Sequence, residues 1–284
     1  MIVIPSGLSS AEELAGRSLA LTRIAYDNAL RDIAPTSITA SGETADGPGD
    51  APTSPDTHTF WEPDALDATW VARFTAQEFG HFSVAAHTLG SSGCTVTVET
   101  SDGTFIGSPD TDAAEVWTQW SDAFSPEDDA PIMFIDSPRS SISGVRVTIS
   151  GGSTIPRIGV FSCGDLLTMQ TKIRGAGWTP PTMARSTVLK HALSRGGQFL
   201  GQEIRRTGVT FTVSFEHLDS DWVRETFNPF AEAARQYPFF LAWRPLEYPD
   251  EVAYAWSISG DIRPQYMGIL DLMQVNWEMA GFVE

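Results

Sequence analysis

Two histidines, His81 and His87, bracket Phe82–Ala86, a spacing that raises the question of a metal site. On an extended strand they share a face but stand about 20 Å apart, too far to hold one ion. No His-Glu-x-x-His or paired cysteine motif occurs, and Cys94 and Cys163 are too few for a disulfide framework. Gly90-Ser-Ser-Gly93 lacks the order of a nucleophile elbow, and it falls between strand-like runs where a strand-to-helix turn is needed. Neither a phosphate loop nor a dinucleotide fingerprint is present. The expectation is a chain with no catalysis, no cofactor and no bound metal.

The remaining candidates are binding residues. Glu127-Asp-Asp129 precedes Ala130-Pro131 and could offer oxygens to calcium, although a solvated acidic turn is the plainer reading. Trp117 and Trp120 lie between acidic loops in Val116-Trp-Thr-Gln-Trp120. An indole offers a flat apolar face to a sugar ring, and carboxylates accept its hydroxyl protons. Trp117, Trp120, Glu127, Asp128 and Asp129 are therefore the candidate ligand site. The competing reading packs both tryptophans into the sandwich or against the next subunit and leaves the domain a spacer or ring decoration. The sequence holds 36 acidic residues, so carboxylate pairs for glycoside hydrolysis are always available, but none is marked out by its context.

The elements that must position these residues are strands. From Phe60 to Phe161 the period is two: Cys94, Val96 and Val98 alternate with Thr95, Thr97 and Glu99, and Val145–Ile149 repeats the pattern. Phe82–Ala86 and Ile132–Ile135 are short apolar runs, and Ser91-Ser-Gly93 and Ser101-Asp-Gly103 are turn signals. Short strands at this spacing predict an antiparallel sandwich. Residues 41–59, rich in Gly and Pro, read as an exposed extended loop.

A second unit opens with Val209, Phe211, Val213 and Phe215 on one face of a strand and Thr210, Thr212 and Ser214 on the other. Asp219 is a cap-competent helix start, and Asn228-Pro229 reads as a fresh cap with proline at the first helical position. Strands are expected over 239–244, 252–259 and 271–279. Between the units, residues 166–207 carry Lys172, Arg174, Arg185, Lys190, Arg195, Arg205 and Arg206 among several glycines. This basic arm predicts either a long hairpin or an extended segment packed on something else. The chain thus divides into 1–165, the arm at 166–207, and a mostly antiparallel domain with one packed helix at 208–284.

Charge excludes whole classes of partner. The net charge is −18, and it is uneven: residues 1–165 hold 23 acidic and 7 basic side chains, residues 166–284 hold 13 and 11. Nucleic acid is not an expected partner, because phosphate contacts are supplied mainly by Lys and Arg. No apolar run approaches the roughly 20 residues of a membrane-spanning helix. Met1-Ile-Val-Ile-Pro5 lacks the basic start and length of a signal peptide, so folding in a cytoplasm is expected. Both cysteines lie in strand-like runs and are expected as buried free thiols.

Ala76–Gly103, above all Ala85-Ala-His-Thr-Leu-Gly90, Gly93 and the strand ending in Ser101-Asp-Gly103, resembles the discoidin-like (galactose-binding-like) jelly rolls of phage and prophage tail proteins. Tyr26-Asp-Asn28 and Phe60-Trp-Glu-Pro63 look like the entry of the same domain, and the resemblance covers about residues 20–165. The later part is similar to ring-forming proteins of long-tailed phages, the distal-tail or tail-hub class. The matching stretches are Thr210–Phe215, Pro229–Ala234, Pro238–Pro245 and Glu251–Trp256. Many distal tail proteins place the ring domain first, whereas here the order is reversed. The resemblance implies a virion protein assembled in the host cytoplasm, a homo-oligomeric ring of six copies (three as a hub), and contacts with tail tube, hub and tape-measure proteins. A host surface glycan is a further implied ligand. Phe211, Phe215, Arg205 and Arg206, on the apolar-faced strand and in the arm, are then the expected interface residues. The alternative is a lectin-like module for host attachment.

Overall fold

The computed structural model describes residues 2–3, 19–107, 113–175, 178–268 and 270–282. In chain order its strands begin with β1 (Ile2–Val3), β2 (Arg23–Ala25), β3 (Ile38–Ala40), β4 (Ala68–His87), β5 (Cys94–Ser101) and β6 (Phe105–Ile106). They continue with β7 (Ala114–Glu115), β8 (Thr118–Gln119), β9 (Ile132–Gly151), β10 (Ile158–Gly164), β11 (Leu167–Thr168) and β12 (Arg185–Leu193). The last are β13 (Phe199–Asp219), β14 (Phe239–Ala242), β15 (Val252–Ser257), β16 (Gln265–Tyr266) and β17 (Leu272–Gly281).

The first unit is a jelly-roll-type β-sandwich made by bending two long strands. β4 and β9 pair antiparallel along two stretches, Ala68–Arg73 with Gly144–Ile149 and His81–Val84 with Ile132–Ile135, separated by register shifts. The irregular middle is a corner: bulges let one strand serve two layers. One layer runs β3, β4, β9, β5, β8; the other runs β10, β4, β9, with β1 added parallel to β9. Between them lie Trp70, Phe82, Phe134, Phe161, Val96, Val98, Val145 and Val147. The Trp70 and Phe161 rings meet at 4.8 Å, and Phe82 and Phe161 at 5.3 Å. Cys94 and Cys163 are free and buried here, as expected.

The second unit is an antiparallel sheet in the order β11, β2, β14, β15, β17, β13, β12. Its first contributor comes from far upstream: β2 pairs with β14 through Ile24 and Leu241, and with β11 through Ile24 and Leu167. Residues 23–25, read from the sequence with the jelly roll, are thus part of the second sheet. One face of this sheet is roofed by a helical segment that runs through Ser220–Trp222, Val223–Phe227 and Asn228–Ala233. Asp219 caps it, accepting from the N–H groups of Asp221 and Trp222. Asn228 is not the fresh cap expected from Asn-Pro. It is helical, and its N–H reaches back to the Val223 carbonyl in a five-residue, π-type turn. That wider turn absorbs Pro229, which lacks an N–H and crowds the preceding turn of a regular helix.

A third core joins the units. Ala85, Met133, Ile135 and Val160 leave the sandwich on its outer face and meet Ala25, Phe240, Ala242 and Tyr254 from the second sheet. This explains why Ile132–Ile135 and Ile158–Gly164 are buried throughout rather than on alternate residues. Strands covered on both faces read as continuous apolar runs. The 41–59 segment, expected as a free loop, is tied down where its backbone accepts indole and phenol hydrogens. Trp61 Nε1 donates to Gly42 O at 3.0 Å, Trp70 Nε1 to Gly49 O at 2.7 Å and Tyr254 OH to Pro55 O at 2.7 Å.

Candidate functional site

Trp117 lies on the outward face of the sandwich. Its ring rests on Gly144, where a Cβ would stand 3.3 Å from the indole edge. The Arg146 guanidinium is 4.9 Å from the ring centre and that of Arg73 is 6.0 Å away. Each arginine is held by a carboxylate: Arg146 binds both oxygens of Glu99 at 2.5 and 2.7 Å, and Arg73 binds Glu115 at 2.7 Å. The result is a half-exposed aromatic plate framed by two ion pairs. Such a surface offers stacking plus donors and acceptors for hydroxyl groups.

Trp120 is elsewhere. It is 3% exposed, and its ring stands edge-on to Phe79 at 4.8 Å inside the sandwich. It is a core residue, not a ligand platform. Glu127 and Asp128 are exposed, but the loop they occupy is a clasp. Asp129 accepts from the Ser91 N–H at 2.9 Å, and Asp128 accepts from the Ala130 N–H at 3.2 Å. A Cβ on Gly90 would fall 2.2 Å from the Asp128 carbonyl oxygen, so only glycine admits this approach.

The two halves of the expected site do not meet. Trp117 sits by Gly144, opposite Ser101 at one end of β5, whereas the acidic clasp holds the turn before Cys94 at the other. Seven strand residues separate those ends, roughly 23 Å. Among the described residues no group of three His, Cys, Asp or Glu side chains could hold a metal ion. Asp110 and Asp112 of the neighbouring loop lie outside the described residues.

His87 joins the same clasp. Its Nε2 faces the Ala130 carbonyl at 2.9 Å, and its Nδ1 accepts from the Leu89 N–H at 3.3 Å, an arrangement that suits the neutral ring with the proton on Nε2. Burial holds it well below its ordinary value, at about 4. His81 is fully buried, with neither ring nitrogen hydrogen-bonded among the described residues, and burial lowers it to about 3. By strand alternation it shares the face of Ser83 and Ala85, turned toward the second sheet.

The expected interface residues divide as well. Phe215 is fully buried and Phe211 is 3% exposed; both face the helical roof, with Phe215 stacked on Trp277. They belong to the chain's own core. The side chains of Arg205 and Arg206 lie outside the described residues. The long hairpin was one of the two readings of the arm; what the sequence reading missed is the row of exposed apolar side chains on it. β12 and the first part of β13 form a two-stranded hairpin running out from the sheet, since β13 meets β17 only from Val209 onward. All nine residues of β12 are exposed. Val188, Leu189, Leu193, Phe199, Leu200 and Ile204 are exposed on the hairpin, from 39% at Leu189 to 66% at Leu200. Leu193 and Phe199 flanking Gly196-Gly197 were the available signal: apolar residues paired across a turn.

No protein family matches this chain, and no curated protein matches it. Solved structures do resemble it in part. Chitosan-binding module 1 of a chitosanase/glucanase from Paenibacillus sp. IK-5 has a TM-score of 0.38 at 14% identity, covering 49% of this chain and 99% of that one. The family 32 carbohydrate-binding module of C. perfringens NanJ, in complex with galactose, has a TM-score of 0.33 at 15% identity, covering 51% and 99%. A Ruminococcus gnavus GH29 fucosidase in complex with fucose has a TM-score of 0.38 at 10% identity over 49% of this chain, which spans 26% of that protein's length. Likeness of this degree assigns no function.

Proposed function

We propose that this chain is a structural, self-assembling component of a long-tailed phage tail tip, a distal-tail or hub ring with the jelly roll as an appended domain. The observation that carries this reading is the uncovered hairpin. A two-stranded ribbon is marginally stable in water by itself, and its six exposed apolar side chains gain nothing from solvent. An outer strand with a free edge and apolar side chains invites pairing with another chain. Contact between the hairpin and a different surface of an identical copy is heterologous, and such contacts make rings where their rotation closes. The tail-protein resemblance of the sequence supplies the class. Its partners are then further copies and adjoining tail proteins, and its place is the virion tail.

A second reading, glycan binding, is favoured by Trp117 alone: a half-exposed indole held flat beside two arginine–glutamate pairs suits a sugar ring. The two readings separate in one experiment on the full-length protein, using light scattering and negative-stain electron microscopy. Ring particles of six copies are expected, or three for a hub, and Trp117→Ala should assemble like the parent while losing attachment to host glycan. A chain that stays monomeric at every concentration, with and without tail-tube protein, removes the ring reading. Undiminished attachment by Trp117→Ala removes the glycan reading.

A further inference from the structure

The hairpin needs a complementary surface, and the same chain carries one. In β12 and β13, Leu189 pairs with Ile204 and Leu193 with Phe199, so these four side chains line one face. Lys190, Ala192, Gly201 and Glu203 line the other. Residues 185–206 hold five basic side chains and one acidic, a net +4 on a chain of net −18. The hairpin is thus a basic, apolar outgrowth on a body that carries −22 without it. Nine strand residues reach about 30 Å.

At the junction of the two units lies a groove of about 590 Å³. Asp32, Asp46 and Asp50 line it together with Phe60 and Tyr237. All three carboxylates are exposed, and none makes an ion pair among the described residues. Arg31, a base in the lining, has its guanidinium 3.9 Å above the Tyr237 ring and donates to the Tyr26 carbonyl at 2.8 Å. A second cleft of about 450 Å³ shares Pro55, His58 and Tyr237 with the first and adds Asp56 and the exposed ring of Trp256. The two adjoining clefts have aromatic walls and carry Asp32, Asp46, Asp50 and Asp56 on their rims; Arg235, a further base in the second, is paired with Asp261 at 3.1 Å. Their walls match the apolar face of the hairpin, and their rims match the positive charge.

We infer that the hairpin of one copy lies apolar face inward in the groove between the two units of the next copy, with Arg195 near its turn and Lys190 on its outer face reaching over to the rim carboxylates Asp46 and Asp50. This rests on the self-assembly reading above and names its contact. Opposite charge across such an interface fixes register and rejects wrong partners as much as it adds affinity. The contact is head-to-tail, so each copy gives one hairpin and receives one, and the chain of contacts closes only by rotation.

The sequence makes a sharp test available. Lys172 and Lys190 are the only lysines in the chain, so a zero-length carbodiimide that joins lysine amines to carboxylates has one target on the hairpin. Full-length protein is prepared in ordinary and ¹⁵N-labelled form, mixed, cross-linked and digested. The expected product is a mixed-isotope peptide joining Lys190 of one copy to Asp46 or Asp50 of another; it should vanish in Lys190→Arg, which keeps the charge and removes the reactive amine. By light scattering, Asp46→Lys with Asp50→Lys should weaken assembly at least tenfold, and adding Lys190→Glu with Arg195→Glu should restore it. Assembly that survives the groove reversal, with Lys190 joined only to other carboxylates, overturns the groove while leaving the ring standing. A chain that never assembles, or a hairpin covered only by a different protein, overturns the inference together with self-assembly.

Discussion

His81 and His87 show one residue type in two buried settings, one hydrogen-bonded in the clasp and the other enclosed on the face turned toward the second sheet. Each is buried on β4, and burial lowers the affinity of the ring for protons: to about 3 at His81 and about 4 at His87, from an ordinary 6.5. In the unfolded chain both titrate near 6.5, so below that pH the unfolded state binds more protons. Stability is therefore complete above pH 6.5 and falls as pH drops, by about 1.4 kcal/mol per pH unit per histidine. Thermal melts between pH 7 and 5 should show this loss, and His81→Leu should roughly halve the slope. An unchanged slope in that variant would remove His81 from the linkage. The sequence spoke to such a pair only through strand spacing, which separates the two rings too far for one ion but does not say which face is covered. The tryptophans behaved similarly. Trp117 and Trp120 lie three residues apart, yet one is partly exposed against Gly144 and Arg146 and the other rests on Phe79 in the core. Nothing local distinguishes them, because which ring is covered is decided by β4 and β9, residues far away in sequence.

At the scale of elements, much of the architecture was legible. Alternation marked β5, the second half of β9 and β13 through Phe215, because one face of each is buried and the other is polar. The helix start was legible too, since Asp219 makes the cap hydrogen bonds that its type and place suggest. Asp219→Ala should cost about 1 kcal/mol and lower Tm by a few degrees, whereas Asp221→Ala, which removes an exposed carboxylate, should leave Tm nearly unchanged. Equal effects would mean that charge near the helix start matters more than the cap. The π-type turn was not legible, because Asn-Pro is as good a cap in one context as it is a tolerated break in another. β2 was also hidden: three residues, Arg23–Ala25, have no period to read, and their partner strands begin at residues 167 and 239. The basic arm had two readings, and each holds for part of it: from Arg185 onward it is a hairpin, whereas Leu167, Met169, Ile173 and Ala184 before it pack into the core of the second sheet.

The whole molecule is less divisible than its sequence. A composition shift near residue 165 suggests two domains, but β2 crosses that line to complete the second sheet, and the core around Phe240, Tyr254, Met133 and Val160 lies between the units. The Phe240 and Tyr254 rings meet at 4.8 Å, and Tyr254 also holds Pro55 of the first unit. A boundary of this kind resembles a domain interior more than the polar contact usual between separable domains. Both units should therefore open together. Hydrogen-exchange mass spectrometry in rising urea checks this, comparing peptides from β9 in the sandwich with peptides from β17 in the second sheet. Their protection should collapse at one urea concentration. Phe240→Ala, which empties a fully enclosed site and costs roughly 3–5 kcal/mol, should shift both by the same amount. If β17 exchanges at a lower urea concentration while β9 stays protected, or if Phe240→Ala moves only the second sheet, the units fold separately. The groove between them would then lack the fixed walls that a docked hairpin requires.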